Sequence, residues 1–247
     1  MEPTESKQSP ALEREQPTAP APVPWTPQVG ASDALWSVGD ILWGVLTALL
    51  SLMAAIAVAT LVGRPFFSLA VSALVELLLL GVAWGLSVRR HRLRWEALGF
   101  RAPSRSAVLL VFVAVVLSLT ITAVYTAIIR AMGFGDSLPP SPFLEGKNSV
   151  ILAITAVLAI VAAPLCEETF FRGFVFGGLR RTLGLWGAAL VSAGLFAIAH
   201  AAPVTFIPIL GIGLVLAFVY ARTGSLWYSV LVHLSYNSLV VYLSWRS

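Results

Sequence analysis

The sequence predicts an all-α protein, a polytopic transmembrane bundle of about seven helices. Of 247 residues, 58% are hydrophobic and 11% are charged, and the mean hydropathy is +0.87, whereas soluble domains carry about 25% charged residues. The apolar residues form charge-poor runs of about 20 residues, the length that crosses a hydrocarbon core. Runs such as 108–117 are apolar throughout, unlike the alternating strands of a membrane barrel. These features exclude a soluble globular domain.

The chain divides into a polar tail and a membrane domain. Residues 1–34 hold seven of the 15 prolines, and this composition predicts a disordered cytosolic tail. Residues 35–247 are the predicted transmembrane helical domain. Its predicted spans are 41–63, 66–88, 106–129, 148–171, 185–202, 204–221 and 225–244.

The positions of the basic residues predict the orientation in the membrane. With the N-terminus inside, eleven Lys and Arg lie on the inner side and four on the outer side, and cytoplasmic segments carry the excess. We therefore expect a multi-pass protein of the cell membrane, with a cytosolic N-terminus and an external C-terminus. The net charge of +4 follows from these flanking residues, and no nucleic-acid partner is predicted from it.

Ionisable residues inside the spans are the candidates for function, since each costs about 2.5–3.5 kcal/mol at a helix centre and is normally functional or paired. Glu168 and Arg172 are four residues apart and share one helix face. Glu167 is turned about 100° from Glu168. The spacing predicts that Arg172 holds Glu168 ionised, which leaves Glu167 as a candidate general base.

Two later spans carry the other polar side chains, His200 in the fifth and His233 with Asn237 in the seventh. His233 and Asn237 are four apart, so both can donate hydrogen bonds to one oxygen. Glu167 and His200 lie at the same depth if the intervening turn falls midway between them. Residues 182–184, Thr-Leu-Gly, stand at that point, which predicts an antiparallel pair of helices with its site inside the membrane.

The ordered set Glu-Glu-x-x-x-Arg, Phe-x-x-x-His and His-x-x-x-Asn resembles the CPBP intramembrane protease family. This family comprises CAAX proteases and bacteriocin-processing enzymes, including the type II CAAX prenyl endopeptidase. The similarity covers about residues 105–245. It implies an intramembrane endopeptidase that cleaves membrane-associated peptide or protein substrates, either CAAX-like prenylated proteins or peptide precursors.

The resemblance also implies a role for each motif residue. Glu167 with His200 would activate a water molecule, and His233 with Asn237 would stabilise the oxyanion. Glu168 and Arg172 would support the site. No cofactor is favoured; zinc is the alternative, with Glu167, His200 and His233 as its ligands, although the sequence has no His-Glu-x-x-His pair.

Two other functional classes stay open at the level of sequence. Intramembrane Glu and His also build proton relays, so a proton-coupled transporter is one alternative, and a non-catalytic membrane scaffold is another. Against transport, the chain shows no inverted repeat. Glu76 in the second span lies outside the three motifs, and an interhelical hydrogen bond is its simplest role.

Overall fold

A computed structural model describes residues 36–63, 65–103, 107–138 and 148–246. All regular secondary structure in these residues is helical, which confirms the predicted all-α class. The tail predicted over residues 1–34 lies outside the described residues. The α-helices are α1 (Val38–Val62), α2 (Pro65–Ala83), α3 (Val108–Ala131), α4 (Ser149–Val157), α5 (Ala163–Glu167), α6 (Gly177–Ala199), α7 (Phe206–Thr223) and α8 (Leu226–Arg246).

Stretches of π-helix extend or join these helices within the described ranges. Trp84–Arg89 continues α2, Leu158–Ala162 joins α4 to α5, and Glu168–Phe176 joins α5 to α6. In a π-helix each N–H bonds to the carbonyl five residues earlier, and such turns are rare and concentrated at functional sites. All nine residues of Glu168–Phe176 are buried. We call this stretch the central π segment.

Six helices in the described residues are long and apolar enough to cross a membrane. They are Val38–Val62, Phe66–Arg89, Val108–Ala131, Ser149–Ala199, Pro203–Thr223 and Leu226–Trp245. The fourth has 51 residues, and a straight helix of that length would reach about 76 Å, more than twice the thickness of a hydrocarbon core. It therefore cannot cross the membrane as one straight rod.

The long helix folds back on itself at Gly184. This residue has φ 68° and ψ −174°, a left-handed φ that glycine adopts without a Cβ penalty. Beyond it, the Ser192 hydroxyl donates to the Phe171 carbonyl at 2.7 Å, and the rings of Phe171 and Phe196 meet edge to face at 5.3 Å. The turn lies where the sequence predicted it, and the predicted seven spans agree approximately with the six helices. We call residues 149–183 the ascending arm and 185–199 the returning arm.

The start of α1 is fixed to the central π segment. Ser37 caps α1 in a capping box with Asp40, which satisfies backbone N–H groups at the helix start. Just before it, the Trp36 indole N–H donates to the carbonyl of Phe174 at 3.0 Å, and the two rings stack at 6.0 Å. The tryptophan thus ties the first helix to the buried segment that carries the glutamate motif.

Helix α7 packs closely against the returning arm because a glycine lies at the contact. A Cβ added to Gly213 would lie 2.9 Å from the Cβ of Ala193, too close for an ordinary contact. The small residue lets the two backbones approach, as in other membrane helix pairs. It also brings the Gly213 carbonyl to within 3.1 Å of the Arg172 guanidinium.

Candidate active site

The centre of the candidate site is a buried ion pair in the central π segment. Arg172 Nη1 donates to Glu168 Oε1 at 2.7 Å, and both side chains are fully buried. The pair joins residues four apart in the acid-before-base order that the sequence predicted. A charge inside the membrane domain requires a partner of opposite sign, and each of these side chains provides one for the other.

Arg172 has two further contacts that hold it in place. Its Nη2 donates to the Gly213 carbonyl on α7 at 3.1 Å. The guanidinium also lies over the ring of Phe196, 4.3 Å from the centroid, a cation–π geometry that is favourable when desolvated. Three elements therefore fix the arginine: the central π segment, the returning arm and α7.

His233 on α8 lies between the two glutamates. Its Nδ1 is 3.1 Å from Glu168 Oε1, and its Nε2 is 3.7 Å from Glu167 Oε2. Glu168 is also the partner of Arg172, so it is suited to accept a hydrogen bond from Nδ1–H. The other ring nitrogen, Nε2, faces Glu167 and donates to that carboxylate only when it also carries a proton. The structure thus forms a polar chain in the order Arg172, Glu168, His233, Glu167.

Glu167 combines a polar partner with access to a cavity. Its side chain is 15% exposed, and it lines a cavity of about 250 Å³ between α1, α2 and the returning arm. Glu168 does not line this cavity, because its side chain is fully buried. The two adjacent carboxyls therefore have different environments, in line with the division of roles that the sequence predicted.

Asn237 binds a backbone carbonyl in the described residues. Its Nδ2 donates to the carbonyl of Ala159 at 2.7 Å, within the π-helical stretch Leu158–Ala162. His233, one turn earlier on α8, instead contacts the glutamates. The two side chains therefore do not share one acceptor in this structure, although each Asn side chain has a second N–H to donate.

His200 ends the returning arm and has a local partner. Its Nδ1 is 2.8 Å from the Phe196 carbonyl one turn earlier, and the two rings meet at 4.6 Å. The contacts found in the described residues do not join His200 to Glu167. Because a carbonyl can only accept, Nδ1 carries the N–H of this contact, and Nε2 is the ring nitrogen left for another partner.

The described residues do not form a metal-binding set. No group of three or more His, Cys, Asp or Glu side chains is placed to hold an ion within those ranges. The alternative ligand set of Glu167, His200 and His233 does not fit a zinc site on this geometry. A mechanism without metal stays a prediction.

The structure gives Phe196 and Glu76 contacts and positions at the site that the sequence did not specify. The ring of Phe196 contacts Arg172, His200 and His233, so one aromatic residue packs against three motif side chains. The Phe-x-x-x-His motif was the sequence signal that pointed to Phe196. Glu76 lines the same cavity as Glu167, and its position in an apolar span was the only hint of this.

The comparisons with known proteins agree with the motif analysis. A family model described as "Type II CAAX prenyl endopeptidase Rce1-like" matches residues 149–239. This range includes Glu167, Glu168, Arg172, His200, His233 and Asn237. The match confirms the family resemblance predicted from the three motifs.

Two curated proteins are similar to part of the chain. The first is "Putative membrane peptidase YdiL" of Bacillus subtilis (strain 168), 32% identical over 102 residues, or 39% of this chain and 42% of the relative. The second is an "Uncharacterized 24.3 kDa protein" of Escherichia coli, 29% identical over 117 residues, or 44% of this chain and 54% of the relative. The chain thus matches about half the length of these curated relatives. No solved structure matches it.

Proposed function

We propose that this multi-pass membrane protein is an intramembrane endopeptidase that hydrolyses peptide bonds of membrane-associated proteins or peptides. The observation that supports this most directly is the position of His233 between Glu168 and Glu167, with Glu167 lining a cavity. A fixed histidine beside an accessible carboxyl is suited to move a proton. The similarity to a peptidase family over the same residues supports this function.

In the proposed reaction, Glu167 acts as the general base. It removes a proton from a water molecule, and the water oxygen attacks the carbonyl carbon of the scissile peptide bond. His233 stabilises the charge changes on Glu167, while Glu168 and Arg172 position His233. His200 contributes its Nε2 to orienting the water. The resulting tetrahedral intermediate carries a negative charge on its oxygen.

Asn237 is the proposed oxyanion donor, together with His233 when the substrate is bound. One N–H of the Asn237 amide is held by the Ala159 carbonyl, and this contact leaves the second N–H to donate. Donors aimed at a developing oxyanion are often the largest single contribution to acyl-transfer catalysis. The family name indicates prenylated CAAX proteins as one substrate class, and peptide precursors are the alternative.

The proposed function is tested by comparing cells that express the wild-type chain with cells that express Glu167→Gln. New protein N-termini in the membrane fraction are quantified by mass spectrometry. We expect a set of termini that the wild type produces and the variant does not, at equal protein levels. Identical termini in both strains would contradict the endopeptidase, and would favour a proton-coupled transporter or a scaffold.

The role of Asn237 is tested with Asn237→Ala. Loss of one oxyanion donor is expected to lower kcat about 10²–10³-fold, with a smaller effect on KM. Ser238→Ala is the matched control, because the neighbouring Ser238 hydroxyl donates to the Leu234 carbonyl within its own helix. If Asn237 only anchors Ala159, its variant will lose thermal stability and keep its kcat.

A further inference from the structure

Two carboxyl groups from different helices line one apolar cavity. Glu76 lies on α2 and Glu167 at the end of α5, and both border the cavity of about 250 Å³. Most of the remaining lining is aliphatic or aromatic, with Ser68 and Ser72 as the other polar residues. The three motifs account for Glu167. They do not account for Glu76, and this second carboxyl requires a separate explanation.

Glu76 has no cationic partner among the described residues at the site. Its Oε2 is buried and makes no hydrogen bond within the described part of the chain. Arg172, the cation at the centre of the site, binds Glu168 and the Gly213 carbonyl instead. A carboxylate without a partner in an apolar environment is strongly disfavoured, so Glu76 is expected to carry its proton.

The groups that face Glu76 support the same assignment. Among the described residues, Glu167 is the only other ionisable side chain that lines the cavity. Helix α1 contributes only apolar residues to the cavity, and the returning arm contributes Leu195 and Ala199. Two neighbouring carboxyls in an apolar site cannot both ionise. Glu167 has His233 beside it, whereas Glu76 faces apolar side chains, so Glu76 is the better candidate for the carboxyl that keeps its proton.

We propose that Glu76 is the general acid of the hydrolysis, paired across the cavity with Glu167 as the general base. This inference rests on the proposed endopeptidase function. In the first step, Glu167 takes a proton from water while the water oxygen bonds to the carbonyl carbon. In the second, the C–N bond breaks, and the leaving nitrogen takes the proton of Glu76 as it becomes an amine. Glu76 is then a carboxylate, and transfer of the proton held by Glu167 restores both groups.

The test compares two leaving groups. The substrates are a peptide derived from the wild-type cleavage products and its depsipeptide counterpart, in which an ester replaces the scissile amide. An alcohol leaves with less need of an acid than an amine does. Glu76→Gln is therefore expected to lower kcat for the amide about 10²–10⁴-fold, and kcat for the ester less than about tenfold. Glu76→Asp keeps an acid at this position and is expected to retain part of the amide activity.

Glu96→Gln is the matched control, since it makes the same chemical change at an exposed residue that pairs with Arg94 outside the spans. It is expected to keep wild-type activity on both substrates.

Equal losses on amide and ester, or wild-type activity in Glu76→Gln, would overturn the general-acid assignment. If the proposed endopeptidase function is wrong, the result is different, because the wild type then cleaves neither substrate. Variants are compared only when they keep the wild-type melting temperature. If Glu76→Gln lowers the melting temperature, Glu76→Asp is compared with the wild type instead.

Discussion

Replacing Arg172 with Met is expected to lower the free energy of unfolding by about 3–5 kcal/mol, because it leaves Glu168 buried without its cation. Both side chains of the pair are fully buried, and Arg172 Nη1 lies 2.7 Å from Glu168 Oε1. The variant also loses the hydrogen bond to the Gly213 carbonyl and the contact with the Phe196 ring. The measurement is an unfolding titration with SDS in mixed micelles.

The matched control is Arg94→Met, which breaks a pair of similar length at the surface. Arg94 Nη2 lies 3.0 Å from Glu96 Oε1, but the two side chains are 87% and 48% exposed. Exposed pairs contribute about 0–1 kcal/mol, so this variant should unfold almost like the wild type. Similar losses of unfolding free energy in Arg172→Met and Arg94→Met would show that burial does not set the strength of the Arg172–Glu168 pair.

The antiparallel arrangement of the two motif helices could be predicted from residue numbers alone. A turn at residues 182–184 places Glu167 and His200 at equal depth, and the structure breaks the helix at Gly184. The same geometry pairs Phe171 with Phe196. This prediction succeeded because a fold-back in a membrane relates depth directly to sequence distance from the turn.

The contacts around His233 could not be predicted in the same way. Apolar membrane helices show lipid-facing and protein-facing sides of similar composition, so hydropathy does not give the order of helices around a bundle. The π-helical turns add to the difficulty, because a periodicity of 3.6 residues no longer describes which side chains share a face. Sequence spacing suggested a common acceptor for His233 and Asn237, whereas the structure gives them separate partners.

The residue that faces Glu76 could not be predicted from the sequence either. An isolated carboxyl in an apolar span predicts a function or a partner, but it does not identify which helix lies opposite. Contact between α2 and α5 follows from the packing of several spans at once. Only the three-dimensional structure shows that Glu76 and Glu167 share a cavity.

The strongest test of the catalytic geometry is the coupling between Glu167 and His233. Glu167→Gln and His233→Gln are each expected to lower kcat/KM about 10²–10⁴-fold, since general acid–base groups contribute this much. His233 Nε2 lies 3.7 Å from Glu167 Oε2, so the two groups are expected to act on one proton. The double variant should therefore be little slower than the slower single variant, because residues that act as a unit are strongly non-additive.

The control for this double-mutant comparison combines Glu167→Gln with Glu96→Gln. Glu96 lies outside the spans and pairs with Arg94. These two changes should act independently, so adding Glu96→Gln should leave the kcat/KM of the Glu167→Gln variant unchanged. If the losses from Glu167→Gln and His233→Gln multiply instead, the two residues act in separate steps. His233 would then serve the oxyanion alone, and His200 would be the residue that assists Glu167 in activating water.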